Sequence, residues 1–271
     1  YASNPYNPFS LSKDLLLSMY EDQNGLIWIG TKGGGINRTI KTKFKHFRHD
    51  PDNPNTIISS AVWSVYEDSH QNLWVGTEKG VSVRPSDSKD FKHYRLKNDE
   101  PQAVLEGTIY DILEDRNGFI WFATGNGLYK LNQQTGEFTH FAYNPNNPNG
   151  LSYDYVKAIH EDSRGLLWVA TRGEGLNLLN RKTGTFTHYK HQPDNPKSLS
   201  HNRLNVIFED KDGVLWIGTS GGGLNKMNLE KDKKTGGYNV SFTCYTSEAG
   251  NTNSLNDIYV MSINEDNNGN L

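Results

Sequence analysis

Three features of the sequence predict an all-β fold, a β-propeller of four-stranded antiparallel blades. First, one phrase recurs: an acidic pair, a short Gly/Asn turn, then Trp and a Gly-Thr or Ala-Thr step. The copies are Glu21-Asp22…Trp28-Ile29-Gly30-Thr31, Glu67-Asp68…Trp74-Val75-Gly76-Thr77, Glu114-Asp115…Trp121-Phe122-Ala123-Thr124, Glu161-Asp162…Trp168-Val169-Ala170-Thr171 and Glu209-Asp210…Trp216-Ile217-Gly218-Thr219. Second, the acidic pairs begin at 21, 67, 114, 161, 209 and 265, in steps of 46, 47, 47, 48 and 56 residues. Third, each period holds several short β-branched or aromatic runs split by turn residues, which reads as one blade per repeat. The repeats fall near 11–50, 58–97, 106–143, 153–191, 201–247 and 256–271, the last stopping before its Trp. Five complete blades and the start of a sixth are expected, within a propeller of seven that continues past Leu271.

The second repeat shows the elements in order. Ser60 to Tyr66 is the inner strand, a β-branched and aromatic run. Glu67 to Asn72 is a turn, where Asp and Asn side chains can bond nearby backbone amides. Leu73-Trp74-Val75-Gly76-Thr77 is the second strand, its small Gly (Ala at 123 and 170) letting a neighbouring blade approach. Glu78-Lys79-Gly80 turns into a third strand, Val81-Ser82-Val83, and Phe91-Lys92-His93-Tyr94 is the outer strand. Polar loops with Asn-Pro, at 51–54, 145–148 and 193–196, lead to the next blade, where Pro costs no ladder bond. The third repeat instead has Asn98-Asp99-Glu100-Pro101 and an unusual Val104-Leu105-Glu106-Gly107. The fifth carries an insertion at Lys231-Asp232-Lys233-Lys234-Thr235-Gly236-Gly237.

Composition narrows the function. Aromatic residues make up 11% of a chain that is only 34% hydrophobic, so large rings must carry much of the burial. Stacked repeats tolerate this, because each buries its faces against its neighbours. A net charge of −3 with no Lys/Arg-rich run gives no field for nucleic acid, so none is expected as a partner. No stretch approaches 18 apolar residues. Cys244 is the single cysteine, which excludes an internal disulfide. No signal peptide is visible, and a start at Tyr1 with an end inside a repeat reads as an excised piece.

The phrase Glu209-Asp210-Lys211-Asp212-Gly213-Val214-Leu215-Trp216-Ile217-Gly218-Thr219 resembles the two-component regulator propeller repeat. So do Phe186-Thr187-His188-Tyr189 and Asp194-Asn195-Pro196-Lys197-Ser198-Leu199 downstream of the fourth copy. The likeness covers nearly the whole chain. In that family such repeats form the periplasmic sensor region of bacterial membrane signalling proteins, often hybrid histidine kinases and sometimes diguanylate cyclases. The resemblance therefore implies a periplasmic sensor and leaves the output domain unnamed.

Several motifs have plainer explanations than chemistry. The five Trp residues in one register read as packing between blades, not as a sugar platform. The acidic pairs read as turn caps: Asp210-Lys211-Asp212-Gly213 begins like a calcium loop but lacks its closing Glu. His46, His93, His140 and His188, with Cys244 in the fifth slot, fall on outer strands of different blades. Sheets packed about 10 Å apart cannot bring them to one ion, so no metal is expected. Gly33-Gly34-Gly35 and Gly221-Gly222-Gly223 are turns without the Lys-Ser/Thr of a phosphate loop.

Candidate ligand residues are those that vary inside this constant frame. Trp63, Tyr110, Lys157, Asn205 and Met261 occupy one place near the start of the inner strands. Strand alternation puts the loop leading into the inner strand and the loop between strands two and three on one face, with the Glu-Asp turns opposite. The first face carries Lys32, Glu78, Asn126, Tyr153, Arg172, Glu174 and Arg203 as well. The ligand-binding set is Trp63, Tyr110, Lys157, Arg172, Glu174, Arg203 and Asn205: Arg for a carboxylate or sulfate, Trp and Tyr for a sugar ring. A solvated loop surface is the plainer reading of the same residues. The expected function is a non-enzymatic, ligand-sensing region of a receptor, without cofactor, for a small molecule such as an oligosaccharide. Adjoining domains of the same receptor and a second copy are further expected partners. A polysaccharide lyase or hydrolase and a protein-docking propeller are the alternatives.

Overall fold

The computed structural model describes residues 3–4, 6–7, 9–40, 43–95, 105, 107–232, 237–266 and 268–271. The expectations for 98–101, for Val104 and Glu106 and for 233–236 lie outside those residues. Two compact units divide the chain, Tyr1–His140 and Phe141–Leu271. Among the described residues twenty strands form five four-stranded antiparallel sheets, as the repeats predict. The first blade is β1 (Leu16–Glu21), β2 (Ile27–Thr31), β3 (Gly35–Ile40) and β4 (Lys43–Phe47). The second is β5 (Val62–Glu67), β6 (Leu73–Thr77), β7 (Gly80–Arg84) and β8 (Lys92–Arg95). The third is β9 (Ile109–Glu114), β10 (Phe119–Thr124), β11 (Gly127–Asn132) and β12 (Phe138–Phe141), at whose last residue the second unit begins. The second unit holds β13 (Val156–Glu161), β14 (Leu167–Thr171), β15 (Leu176–Asn180) and β16 (Thr185–Tyr189) as its first sheet. Its second sheet is β17 (Leu204–Glu209), β18 (Leu215–Thr219), β19 (Leu224–Lys231) and β20 (Tyr238–Tyr245). The insertion of the fifth repeat lengthens β19 and β20 to eight residues each.

The recurring phrase resolves into separate jobs. The Asp makes the turn: in the second blade Asp68 Oδ1 accepts the backbone N–H of His70 and Asn72, at 2.9 and 2.8 Å. Its other oxygen accepts Trp74 Nε1 at 2.8 Å. Asp22, Asp115, Asp162 and Asp210 bond Trp28, Trp121, Trp168 and Trp216 in the same way, at 2.7 to 3.1 Å. A buried carboxylate is tolerated because its lone pairs are filled by N–H donors. Three residues after each Asp the chain needs positive φ, which Gly25, Gly118, Gly165 and Gly213 supply at 73 to 86°; in the second blade Gln71 adopts 62° instead. The Thr that ends the phrase is fully buried, and its hydroxyl donates to the carbonyl of the Gly that opens or immediately precedes the third strand, 2.9 Å in all five blades.

The Glu has a different task from its neighbour, which the reading of both as turn caps missed. It ends the inner strand and reaches to the preceding blade. Glu114 accepts Ser69 N–H at 2.6 Å and Ser69 Oγ at 2.9 Å. Glu209 accepts the same two groups of Ser163, at 2.9 and 2.6 Å. Glu67 takes Gln23 N–H at 3.4 Å and Glu265 takes Lys211 N–H at 2.8 Å. Each acceptor thus clasps the residue just after the preceding blade's Asp.

Within each unit the Trp packs onto the next blade. Trp28 lies among Val62, Val65, Leu73 and Val75; Trp74 among Ile109, Ile112 and Ile120; Trp168 among Leu204, Leu215 and Ile217. The small residue of the phrase permits this approach. A Cβ on Gly76 would meet Ser64 Oγ and stand 2.8 Å from Ile109 of the next blade, and one on Gly218 would stand 2.8 Å from Val260.

The outer-strand histidines fasten the connecting loops. His46, His93 and His188 Nε2 lie 2.7 to 2.9 Å from the carbonyls of Ser10, Pro54 and Gly150, and exposed Cys244 places Sγ 3.4 Å from Gly222 O. Opposite them on the third strands, buried Asn37, Asn177 and Asn225 accept the N–H of Ser12, Ser152 and Ser200. The third repeat, which lacks Asn-Pro, replaces that Asn by Tyr129. His140 stacks on its ring at 4.0 Å and turns to Asn126 O instead.

Asp68→Ala should therefore cost roughly 3 kcal/mol or more, because it strips four N–H donors of one charged acceptor. Glu114→Ala, at an exposed clasp, should cost about 1 kcal/mol; urea unfolding of the two variants measures the difference. Burial pushes Glu209 up, but hydrogen bonds from Ser163 and His160 outweigh it and hold the carboxyl below its ordinary value. Its stabilisation is present above the unfolded pKa of about 4.3 and fades as pH falls through the folded value. Wild type should lose more of its urea midpoint than Glu209→Gln between about pH 5 and pH 3.

Candidate functional site

The loop face opposite the Glu-Asp turns is built by backbone bonds between consecutive blades. In the first unit Lys32 bridges Ala61, and Gly33 and Gly35 N–H both donate to Ser60 O at 2.9 Å. In the second, Arg172 bridges Arg203, Ser220 bridges Tyr259, and Gly175 N–H donates to Asn202 O at 3.0 Å. Because main chain holds the loops together, their side chains need not be constant.

The varying position of the inner strands has a geometric origin that the sequence pattern did not disclose. Pairing with the second strand shifts register between Leu16 and Ser18, Val62 and Ser64, Val156 and Ala158, and Leu204 and Val206; in the third blade the residue skipped is Tyr110. Leu17, Trp63, Tyr110, Lys157 and Asn205 are thus the extra residue of a β-bulge. A bulge re-aims one side chain and frees it from the ladder, and bulges gather beside functional sites.

In the first unit, half-buried Trp63 and Tyr110 meet edge to face, with ring centroids 5.5 Å apart and planes at 79°. Glu78 Oε1 accepts Ser59 Oγ at 2.5 Å. In the second unit Lys157 is half-buried and Arg203 exposed. Arg172 places Cζ 5.8 Å from the Tyr155 ring centroid, and Tyr153, 41% exposed, lies against Gly173. Glu174 is held by Lys190 at 2.6 Å, an ion pair across sixteen residues. Asn205 is buried: its amide donates to Val260 O at 2.9 Å and its oxygen accepts Ser220 Oγ at 2.9 Å. It therefore clasps the following segment and offers little to a ligand. Trp63–Tyr110 belong to one unit and Arg172–Arg203 to the other.

A hollow of about 440 Å³ in the second unit is bordered by Trp216, Leu224, Tyr245 and Leu255, none of them a predicted ligand residue. Among the described residues no group of three His, Cys, Asp or Glu side chains is placed to hold a metal ion, and no helix is long and apolar enough to cross a membrane.

The two component regulator propeller family matches five segments, residues 10–33, 56–79, 104–126, 150–173 and 198–221. No curated protein sequence matches the chain. Among solved structures, the extracellular domain described for the hybrid two component system BT3049 of B. thetaiotaomicron is similar at a TM-score of 0.78 and 24% identity. The likeness covers 98% of this chain and 33% of that one, so the chain spans a third of that domain's length. PorZ of Porphyromonas gingivalis, a surface component of the type-IX secretion system, gives 0.60 at 20% identity, over 83% of this chain and 34% of its own. Virginiamycin B lyase from Staphylococcus aureus gives 0.59 at 17%, over 83% and 69%. At such identities these likenesses establish the propeller fold.

Pairing of the bulge rings has a measurable energy. A double-mutant cycle of Trp63→Ala and Tyr110→Ala should return a coupling of about 0.5–1.5 kcal/mol by urea unfolding. A coupling of zero would mean that the rings merely share a surface.

Proposed function

Since the chain belongs to the two component regulator propeller family, we propose that it is the ligand-sensing propeller region of a bacterial receptor, displayed outside the cytoplasm. The observation that carries this reading is the bulge position. One backbone device recurs in five blades, yet it carries Leu17, Trp63, Tyr110, Lys157 and Asn205. Packing alone would favour one residue type in five equal sockets, as it does at the Trp and Thr positions. Within each unit, different chemistry at a repeated, re-aimed position (the Trp63–Tyr110 ring pair in the first, Lys157 in the second) suits recognition of a small molecule, an oligosaccharide among them, held without catalysis. The extracellular two component domain of similar fold agrees with a place outside the cytoplasm. Further blades, seven in all, belong to this reading. They would cover Leu16, Met19, Tyr259 and Met261, which are 46, 71, 59 and 60% exposed.

Signalling by the receptor that contains the chain tests the assignment. With a panel of oligosaccharides as inducers, Trp63→Ala, Lys157→Ala and Arg172→Ala should each abolish the induced output while leaving the thermal unfolding midpoint within a few degrees. Asn24→Ala and Asp212→Ala, on the Glu-Asp face, should signal as wild type. The reverse pattern would move the working surface to the turns.

A further inference from the structure

Arg172 and Arg203 face each other across the isolated antiparallel bridge between the loop after β14 and the segment leading into β17. Residues directly opposed in such a pair project to the same side, with Cβ atoms roughly 5 Å apart, and like charges there repel. The backbone does not let them separate. Arg172 N–H donates to Tyr155 O at 2.9 Å, and Arg203 O accepts Ser220 N–H at 2.8 Å. His201 Nδ1 accepts Arg203 N–H at 3.0 Å, which puts the ring proton on Nε2. Burial first, then the charges of Arg203 and His191, hold that imidazole below its usual range, so it stays neutral and keeps the bond.

Neither guanidinium has a hydrogen bond or ion pair to any described residue, while Glu174, two residues from Arg172, is engaged by Lys190. An arginine pair of this kind is complementary to one planar or tetrahedral oxyanion, which each fork can grip with two N–H groups and which cancels their repulsion. Tyr153, pressed on Gly173 and 41% exposed, presents a ring beside the pair. Any Cβ at 173 would stand 2.9 Å from that ring, so the glycine fixes where it lies.

We propose that Arg172 and Arg203 jointly bind the carboxylate or sulfate of an acidic sugar, with Tyr153 flanking the sugar ring. The proposal rests on the loop face being the recognition surface, and it names the ligand class for the second unit.

The purified chain, labelled with nitrogen-15, is titrated at constant ionic strength with glucuronate, with glucose 6-sulfate and with neutral glucose. At least one acidic sugar should give saturable shifts at the Arg172, Gly173 and Arg203 amides. Arg172→Ala and Arg203→Ala should each weaken that binding by roughly tenfold or more, and Arg172→Lys, which keeps the charge without the fork, by less. The proposal is overturned if neither acidic sugar saturates, if glucose does as well, or if the alanine variants bind unchanged. The two arms separate the two ideas. Acidic-sugar binding that depends on both arginines, in a receptor whose Arg172→Ala form still signals, upholds the anion site and removes the sensing role of the face. A receptor silenced by Arg172→Ala whose chain binds neither acidic sugar does the opposite.

Discussion

The hydrogen bond from the Trp indole to the turn aspartate is the contact on which each blade depends. It joins residues six apart, so it forms locally, and it orients the ring that fills the gap to the next blade. The aspartate needs the turn N–H groups to remain charged while buried. The turn needs the aspartate to satisfy those same groups. The ring needs its N–H satisfied before it can be covered. Removing one member leaves the others buried and unpaired, which costs more than the bond itself contributes.

Between blades the forces are of another kind. Apolar contact with the Trp supplies most of the adhesion, at about 25 cal/mol per Å² buried, and it is not directional. The glutamate clasp adds direction. By accepting the N–H beside the preceding aspartate it sets the height of one inner strand against the previous turn, as at Ser69–Glu114 and Ser163–Glu209. Stability of such a chain is a sum over blades and nearest-neighbour contacts. Blades can therefore depart from the pattern singly, provided the departure is compensated within the blade. Tyr129 and His140 illustrate this: the Asn and the loop it would hold are replaced together, and the histidine finds a ring and a different carbonyl.

Much of this was legible in the sequence, because the constant residues act within a few positions of one another. The Asp–Gly–Trp–Thr spacing specifies turn, positive φ, ring and second turn, and strand boundaries follow within a residue or two. What acts over longer separations was not legible. Glu and Asp stand side by side, but successive strand residues point to opposite sides, so one serves its own turn and the other the preceding blade. The ion pair of Glu174 with Lys190 joins residues sixteen apart and left no trace in the sequence pattern. Asn205 turns inward to Val260 and Ser220, fifty-five and fifteen residues distant. The bulge left only variability as its trace, since a residue outside the ladder register is not held to one type by cross-strand pairing.

Constancy and variation thus divide between the two ends of the strands for a physical reason. At the Glu-Asp end, side chains make the joints, so the same side chains must recur. At the loop end the joints are made by main chain, through the Ser60, Asn202 and Ile258 carbonyls and the bridges at Lys32, Arg172 and Ser220. A backbone joint is indifferent to residue identity, and the bulge beside it takes one more residue per blade out of the ladder register. Selection for a ligand can therefore act on Trp63, Tyr110, Lys157, Arg172 and Arg203 without disturbing the packing that the tryptophans maintain. A fold that separates its fasteners from its variable surface in this way can change what it recognises without first being restabilised.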